Sequence, residues 1–249
     1  MSIFGQVVDW FGDPAHWSGP EGVPTRVVEH IGISMAAVAI ALLFSLPIGM
    51  YIGHARRGEF LAVSIANLGR AIPSFAILSI AFQVVLRIEP KAAFGFVPTV
   101  VALVLLGIPP ILTNTYVGIQ SVDADTVEAA RGMGMRGRQV LARLEVPLAV
   151  PLIVAGVRTA AVQIVATATL AALIAGGGLG RFIIDGFAQG DQPKLVAGGV
   201  LVAALAILTE VTFALFERLV TPRTRTGRGR ARPRDPGRDR LPLMEPGGA

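Results

Sequence analysis

Asp123-Ala-Asp-Thr-Val-Glu-Ala-Ala-Arg-Gly-Met-Gly-Met-Arg-Gly-Arg-Gln-Val-Leu-Ala-Arg-Leu-Glu-Val-Pro147 is a charged stretch between two long apolar runs. It reads as two short helices and a turn. Asp123 or Asp125 caps the first helix, because a side-chain oxygen there accepts an amide that opens the helix. Thr126–Met133 holds good helix formers, broken by Gly132. Gly134 and Gly137 permit a sharp turn, since glycine tolerates positive φ. Gly137–Glu145 is a second amphipathic piece, expected to stop at Pro147. A connection of this length is either unstructured or functional. A helical elbow projecting from a membrane suggests a docking surface for a cytoplasmic partner.

The flanking runs set the class. Of 249 residues, 53% are hydrophobic and only 16% charged, against roughly 25% charged in soluble domains. Mean hydropathy is +0.63. One soluble core of this size cannot hide so much apolar surface. Five apolar segments follow: 31–53, 60–86 (interrupted by Arg70 and Pro73), 94–119 (with an expected break at Pro109-Pro110), 148–175 (carrying Arg158) and 195–216 (carrying Glu210). The first, 23 residues without a charge, reaches roughly 34 Å and crosses a hydrocarbon core of roughly 30 Å. The apolar residues run all round each segment, which marks spanning helices rather than surface ones. The fold class is an all-α membrane protein of about five transmembrane helices.

Charge placement gives an orientation. With the N-terminus outside, 15 Lys and Arg face the cytoplasm and five face out, as the positive-inside rule requires. Nine of the 15 lie between Arg218 and Ala249; without the tail the asymmetry falls to six against five. The tail alone also explains the sequence pI of about 10.6. It follows an apolar segment, so anionic lipid is its expected neighbour and nucleic acid is not. Residues 221–249, rich in Arg, Pro and Gly, read as a disordered basic cytoplasmic tail. Residues 1–24 read as an extracellular extension. Trp10, Phe11 and Trp17 suggest a segment at the outer interface; a loosely ordered extension is the other reading. No cleavable signal peptide is expected there. There is no Cys, and only His16, His30 and His54, so thiolate chemistry and HExxH-type metal sites are excluded.

Glu128-Ala129-Ala130, three residues, Gly134, nine residues, then Leu144-Glu145-Val146-Pro147 resembles the EAA motif of ABC importer permeases. Leu144 and Val146 stand where that pattern has Ile and Leu. Further stretches resemble the osmoprotectant branch, whose members import glycine betaine, choline, carnitine or proline. They are Thr25 with His30-Ile31 and Ser34, Leu46-Pro47-Ile48-Gly49, Ala71-Ile72-Pro73-Ser74-Phe75-Ala76, Asn114-Thr115-Tyr116, Gly132-Met133-Gly134-Met135, Ala155–Ala160, and Ala168–Gly180. The resemblance covers residues 25–220, the expected permease domain. It implies a methionine-importer-like, type I permease bundle whose elbow, residues 121–147, is a coupling helix for a cytoplasmic ATPase. Glu128, Ala129, Ala130, Gly134, Leu144 and Pro147 take the coupling role by this resemblance. The small Ala pair is expected to let the elbow approach its groove. Arg131, Arg136 and Arg138 either touch acidic ATPase residues or are ordinary positive-inside charge.

Arg70, Arg158 and Glu210 are ionisable residues within spans and so functional candidates by default. Arg158 and Glu210 both fall roughly 15 Å deep, and an ion pair between them is expected, with separate snorkelling as the alternative. Ser74, Asn114, Thr115, Gln163, Thr167 and Thr169 either line a solute path or hydrogen-bond between helices. The few Tyr and Trp form no cluster that would cage a quaternary ammonium; this fits selection by a separate extracellular or periplasmic binding protein. Gly176-Gly177-Gly178-Leu179-Gly180 lacks the Lys-Ser/Thr of a phosphate loop and reads as a flexible span end. No nucleotide motif is present, so no cofactor is expected in this chain, and ATP belongs to the partner ATPase. A second permease copy or paralogue completes the expected assembly in the plasma membrane. A methionine or other small-solute permease is the close alternative. An ion-gradient-driven secondary transporter is the alternative from another class. A membrane enzyme lacks the converging catalytic set it needs.

Overall fold

The structure is a computed structural model describing residues 2–220, without the side chains of Leu61, Ala62, Ile65, Leu68 and Arg70. Arg70 as a functional candidate and the tail 221–249 therefore lie outside the described residues. Ten α-helices are present among those described: α1 Ile3–Gly12, α2 Val23–Ala55, α3 Glu59–Ala71, α4 Ser74–Ile88, α5 Phe96–Gln120, α6 Ala124–Gly132, α7 Gly137–Val140, α8 Val146–Thr167, α9 Gly180–Gln189 and α10 Gln192–Val220.

Among the described residues, four helical runs are long and apolar enough to cross a membrane: α2, α5, the continuous run Gly137–Ile174 and α10. The remaining segment is split. Pro73 takes an extended backbone (φ −57°, ψ 134°) and caps α4, and proline pushes the residue before it out of the helical region. α3 and α4, 13 and 15 residues, reach only roughly 20 Å each, so neither alone is long enough to cross, and the fifth expected span is a broken pair of shorter helices.

The other prolines act differently from expectation. Pro109-Pro110 does not break α5, which runs unbroken through both. Proline's own φ is helical, and packing by neighbouring helices sustains such a segment in membranes. Pro147 does not stop the elbow either. A π turn at Leu141–Glu145 precedes it, with the Val146 amide donating to Leu141 O. This wider turn shifts the hydrogen-bond register ahead of the ring, so the helix continues into α8.

α5 lies at the centre, between α2 and α8, and most of its length is buried. Small residues bring these helices together. A Cβ on Gly49 would lie 2.7 Å from Thr115 Cβ, and one on Gly53 would lie 2.6 Å from Ile119 Cβ. Gly156 of α8 meets Asn114 and Pro110 of α5 in the same way. Close approach of this kind is how apolar helices associate when lipid removes the hydrophobic drive. The outer faces carry Met35, Leu43, Phe44 and Ile48 on α2 and Ile207, Leu208 and Leu215 on α10, all exposed. That inside-out pattern suits a lipid surround.

The N-terminal segment is a folded helix. Trp10 is buried and shares a cluster with Val23, Leu179, Phe182, Ala197 and Val202. Its ring stacks on His16 at 4.2 Å and meets Phe182 edge-on at 5.5 Å. Trp17 is exposed, and its Nε1–H donates to Phe11 O at 2.9 Å.

Candidate functional site

The elbow is built by local rules. Asp123 is the cap of α6: its carboxylate accepts from the Thr126 amide at 2.8 Å and the Thr126 hydroxyl at 2.9 Å. The amide and the hydroxyl together hold the Asp123 carboxyl below its usual range. α6 ends in a Schellman motif. Met135 N–H donates to Ala130 O at 3.2 Å, Gly134 N–H donates to Arg131 O at 2.9 Å, and Gly134 has φ +87°. These are the bonds that satisfy the last carbonyls of a helix, with a left-handed residue between them.

Val122, Val127, Ala130 and Val140 form a small core under this turn, with Met135 and Leu144 against it. Ala130 is therefore inside the elbow, and only Ala129 of the alanine pair faces out with Glu128. Of the two alanines, only Ala129 is exposed for the close approach expected of the pair. Met133 stands at the tip, 79% exposed, and was not singled out in the sequence. Pro147 is exposed where α8 begins.

A Cβ at position 134 would meet nothing within 4 Å, so any cost of substitution there comes from the backbone alone. Gly134→Ala is expected to destabilise the elbow by about 1 kcal/mol, and Gly134→Asn by less, because Asn visits the left-handed region more readily. Hydrogen exchange of the amides in residues 124–140 checks this. Equal protection in both variants and the wild type would show that the turn is not held this way.

The elbow is also pinned to α2. His54, in the last turn of α2, donates Nδ1–H to Glu145 Oε2 at 2.5 Å. Glu145 is only 5% exposed. His54, Arg56, Glu128, Arg131 and Glu145 border a cleft of about 570 Å³. His54→Ala strands a buried carboxylate, so it is expected to loosen residues 137–146 by about 1–3 kcal/mol. Glu145→Gln keeps an acceptor and is expected to cost less. The same exchange experiment reads both, and the reverse order would sink the anchor.

The expected ion pair is present and larger than expected. Arg158 Nε lies 3.6 Å from Glu210 Oε1, and Arg158 Nη1 lies 3.0 Å from Glu217 Oε2. Glu217 is two helical turns beyond Glu210. Its Oε2 is buried and has no well-aligned hydrogen bond among the described residues. The contact is thus charge against charge, held by α8 and α10.

The polar candidates do not converge on one path. Asn114 Nδ2 donates to Pro110 O at 2.8 Å, Thr115 Oγ1 to Ile111 O at 2.7 Å and Thr169 Oγ1 to Ala166 O at 3.1 Å. Thr115 is fully buried. Only Ser74 and Thr167 meet, beside Thr99, at a small gap between α4, α5 and α8. Gln163 is half-buried.

The glycine run after α8 is not a loose end. Gly178 N–H donates to Glu29 Oε2 at 2.8 Å, and Leu179 N–H donates to His30 Nδ1 at 3.3 Å. His30 is fully buried, and its other nitrogen lies 2.9 Å from Val165 O. An acceptor role at Nδ1 and a donor role at Nε2 define a neutral ring. Sequence reading missed Glu29 and His30 as partners, since they lie 149 residues from this turn.

Long apolar helices around a buried centre, with a folded elbow between two of them, make a multi-pass membrane component. Residues 45–226 match the family described as "Binding-protein-dependent transport system inner membrane component", and the chain belongs to that family. It is a transport permease component and not an enzyme. The glycine betaine/carnitine/choline transport system permease protein OpuCB of Bacillus subtilis is 37% identical over 195 residues, 78% of this chain and 87% of that protein. The choline transport system permease protein OpuBB of the same organism is 37% identical over 197 residues, 79% of this chain and 88% of that protein. Among solved structures, the MetNI methionine ABC transporter in inward-facing conformations superposes with a TM-score of 0.73 at 20% identity, over 84% of this chain and 99% of that one. The fold is that of type I ABC importer permeases.

Proposed function

We propose that this chain is the membrane-spanning subunit of an ATP-driven importer of compatible solutes, with glycine betaine, choline, carnitine or proline as the cargo class. The observation that carries this reading is the elbow: a folded, outward-facing Glu128-Ala129 surface with Met133 at its tip, in a family of binding-protein-dependent permeases. Relatives of this chain that match over most of their length are named for glycine betaine, carnitine and choline. Hydrolysis of ATP belongs to a cytoplasmic ATPase subunit that docks on the elbow. A solute-binding protein delivers cargo outside, and a second permease copy or paralogue closes the path. The N-terminus is outside and the tail inside, following the Arg bias.

The geometry gives the push two routes. The elbow runs through the π turn into α8 without a break. His54 ties the same turn to the end of α2. Movement imposed on residues 124–140 therefore reaches both helices that clasp α5.

The test is a gentle purification of the tagged chain from its native membrane with mass spectrometry of what accompanies it, followed by uptake in proteoliposomes. An ATPase subunit that is lost when Glu128 and Gly134 are both substituted supports the reading. A complex shown to survive detergent but carrying no ATPase, with uptake driven by an ion gradient alone, would replace it with a secondary transporter.

A further inference from the structure

The end of the bundle opposite the elbow holds an open cavity of about 490 Å³. Glu29 of α2, Phe94 and Phe96 at the entry to α5, and the backbone of Gly95 and Ala175–Gly177 line it. We propose that this cavity binds the quaternary ammonium group of the cargo as it enters the permease. The proposal rests on the compatible-solute reading for its ligand and gives that reading a place in this chain.

A quaternary ammonium cannot donate a conventional hydrogen bond. It is held by negative charge nearby and by aromatic faces. The cavity offers both. Glu29 is fixed through one oxygen: Oε2 accepts from Gly178 N–H at 2.8 Å and from Arg26 Nη1 at 2.9 Å. Oε1 is left to the cavity. A Cβ at Gly177 would overlap the carboxylate, so the glycine run is what admits it. Arg26 also faces Glu21 at 3.9 Å. Arg26, Glu21 and Glu29 together carry −1, and His30 beside them is neutral by its two hydrogen bonds.

Phe94 is 62% exposed and Phe96 52% exposed, at the end of the bundle away from the elbow. Phe94 also meets Phe82 of α4 edge-on at 5.4 Å, so the aromatic face without a ring partner among the described residues is that of Phe96. Backbone oxygen adds to the negative wall, since Ala175 O lies close to the position a Cβ on Gly95 would take. The size falls within the roughly 300–1,000 Å³ of small-molecule sites. The openness means weak binding, which suits a solute that must move on. The absence of a Tyr and Trp cluster in the sequence hid this site, because phenylalanine carries the same aromatic face.

Tetramethylammonium is the probe. Saturation-transfer NMR on the intact permease in detergent is expected to show transfer to its methyl protons, displaced by choline and not by 3,3-dimethylbutan-1-ol, the uncharged isostere of choline. Glu29→Gln is expected to weaken binding about tenfold, and Phe96→Leu about two- to fivefold. Phe96→Leu removes no polar contact, so it decides the matter if Glu29→Gln fails to fold. Equal displacement by the uncharged isostere, or unchanged binding in a folded Phe96→Leu, overturns the site. Uptake of choline by proteoliposomes separates the two readings. Uptake without cavity binding removes the site and leaves the transport reading standing. Cavity binding in an importer that moves no quaternary ammonium solute keeps the site and removes the cargo assignment.

Discussion

Gly156→Leu is expected to prevent the bundle from assembling. Gly156 sits on α8 where that helix crosses α5. A Cβ there would lie 2.5 Å from Asn114 Cβ and 2.9 Å from Pro110 O. The second neighbour is backbone, so no side-chain rotation relieves it. The α5 helix cannot retreat, because Gly49 and Gly53 of α2 hold its other side equally closely. Even Gly156→Ala must separate the helices or bend one, at about 1–3 kcal/mol. Leucine has no rotamer that fits, and the loss is expected to exceed the few kcal/mol that separate folded from unfolded. Gly199→Leu on α10 is the control: a Cβ there meets nothing within 4 Å, and a native melting temperature is expected. Yield and thermal melting of the purified permease in detergent check both. A Gly156→Leu protein that melts like the wild type would mean α5 and α8 are not packed at this crossing.

That prediction marks the boundary of what the sequence revealed. The turn of the elbow was legible because the bonds that shape it are local: Asp123 to Thr126, Gly134 to Arg131, Met135 to Ala130. Spacing alone places such partners. The apolar runs were legible for the same reason, since length and composition suffice. The prolines were not. Pro73 and Pro109-Pro110 look alike in sequence, yet only the first ends a helix. The difference is tertiary: Pro109 and Pro110 are buried, the first beside Gly69 of α3 and the second beside Gly156 of α8, while Ile72 and Pro73 are exposed. Glu29 with Gly178 and His54 with Glu145 are partners across 149 and 91 residues, and no pattern in one chain pairs them. Glu217 was missed for a smaller reason. The apolar run was read as ending at residue 216, whereas α10 continues to Val220. Seven residues after Glu210 is two turns on, the same face, and that spacing was visible.

Arg158→Leu is expected to cost the protein its stability in the membrane and its transport together. It leaves Glu210 and Glu217 on α10 without the one cation within ion-pair distance of them among the described residues. A carboxylate stranded within a span costs about 3 kcal/mol at mid-depth. Glu210 is 49% exposed in the single chain, so its share is smaller wherever water reaches it. Glu217, with a buried oxygen, carries the larger share. Arg158→Lys is expected to recover only part, because a single ammonium cannot present two separate nitrogens to two carboxylates. Glu217→Gln is expected to harm more than Glu210→Gln, following the 3.0 and 3.6 Å contacts. The decisive variant is the triple replacement Arg158→Leu, Glu210→Leu and Glu217→Leu. Removing all three charges together is often neutral for stability where removing one is not, so melting is expected to return. If uptake returns as well, the three charges serve only to join α8 to α10. If melting returns and ATP-driven uptake does not, the charges take part in the transport cycle. Unchanged melting and uptake in Arg158→Leu would remove the ion-pair account, because separately snorkelling side chains have no partner to lose.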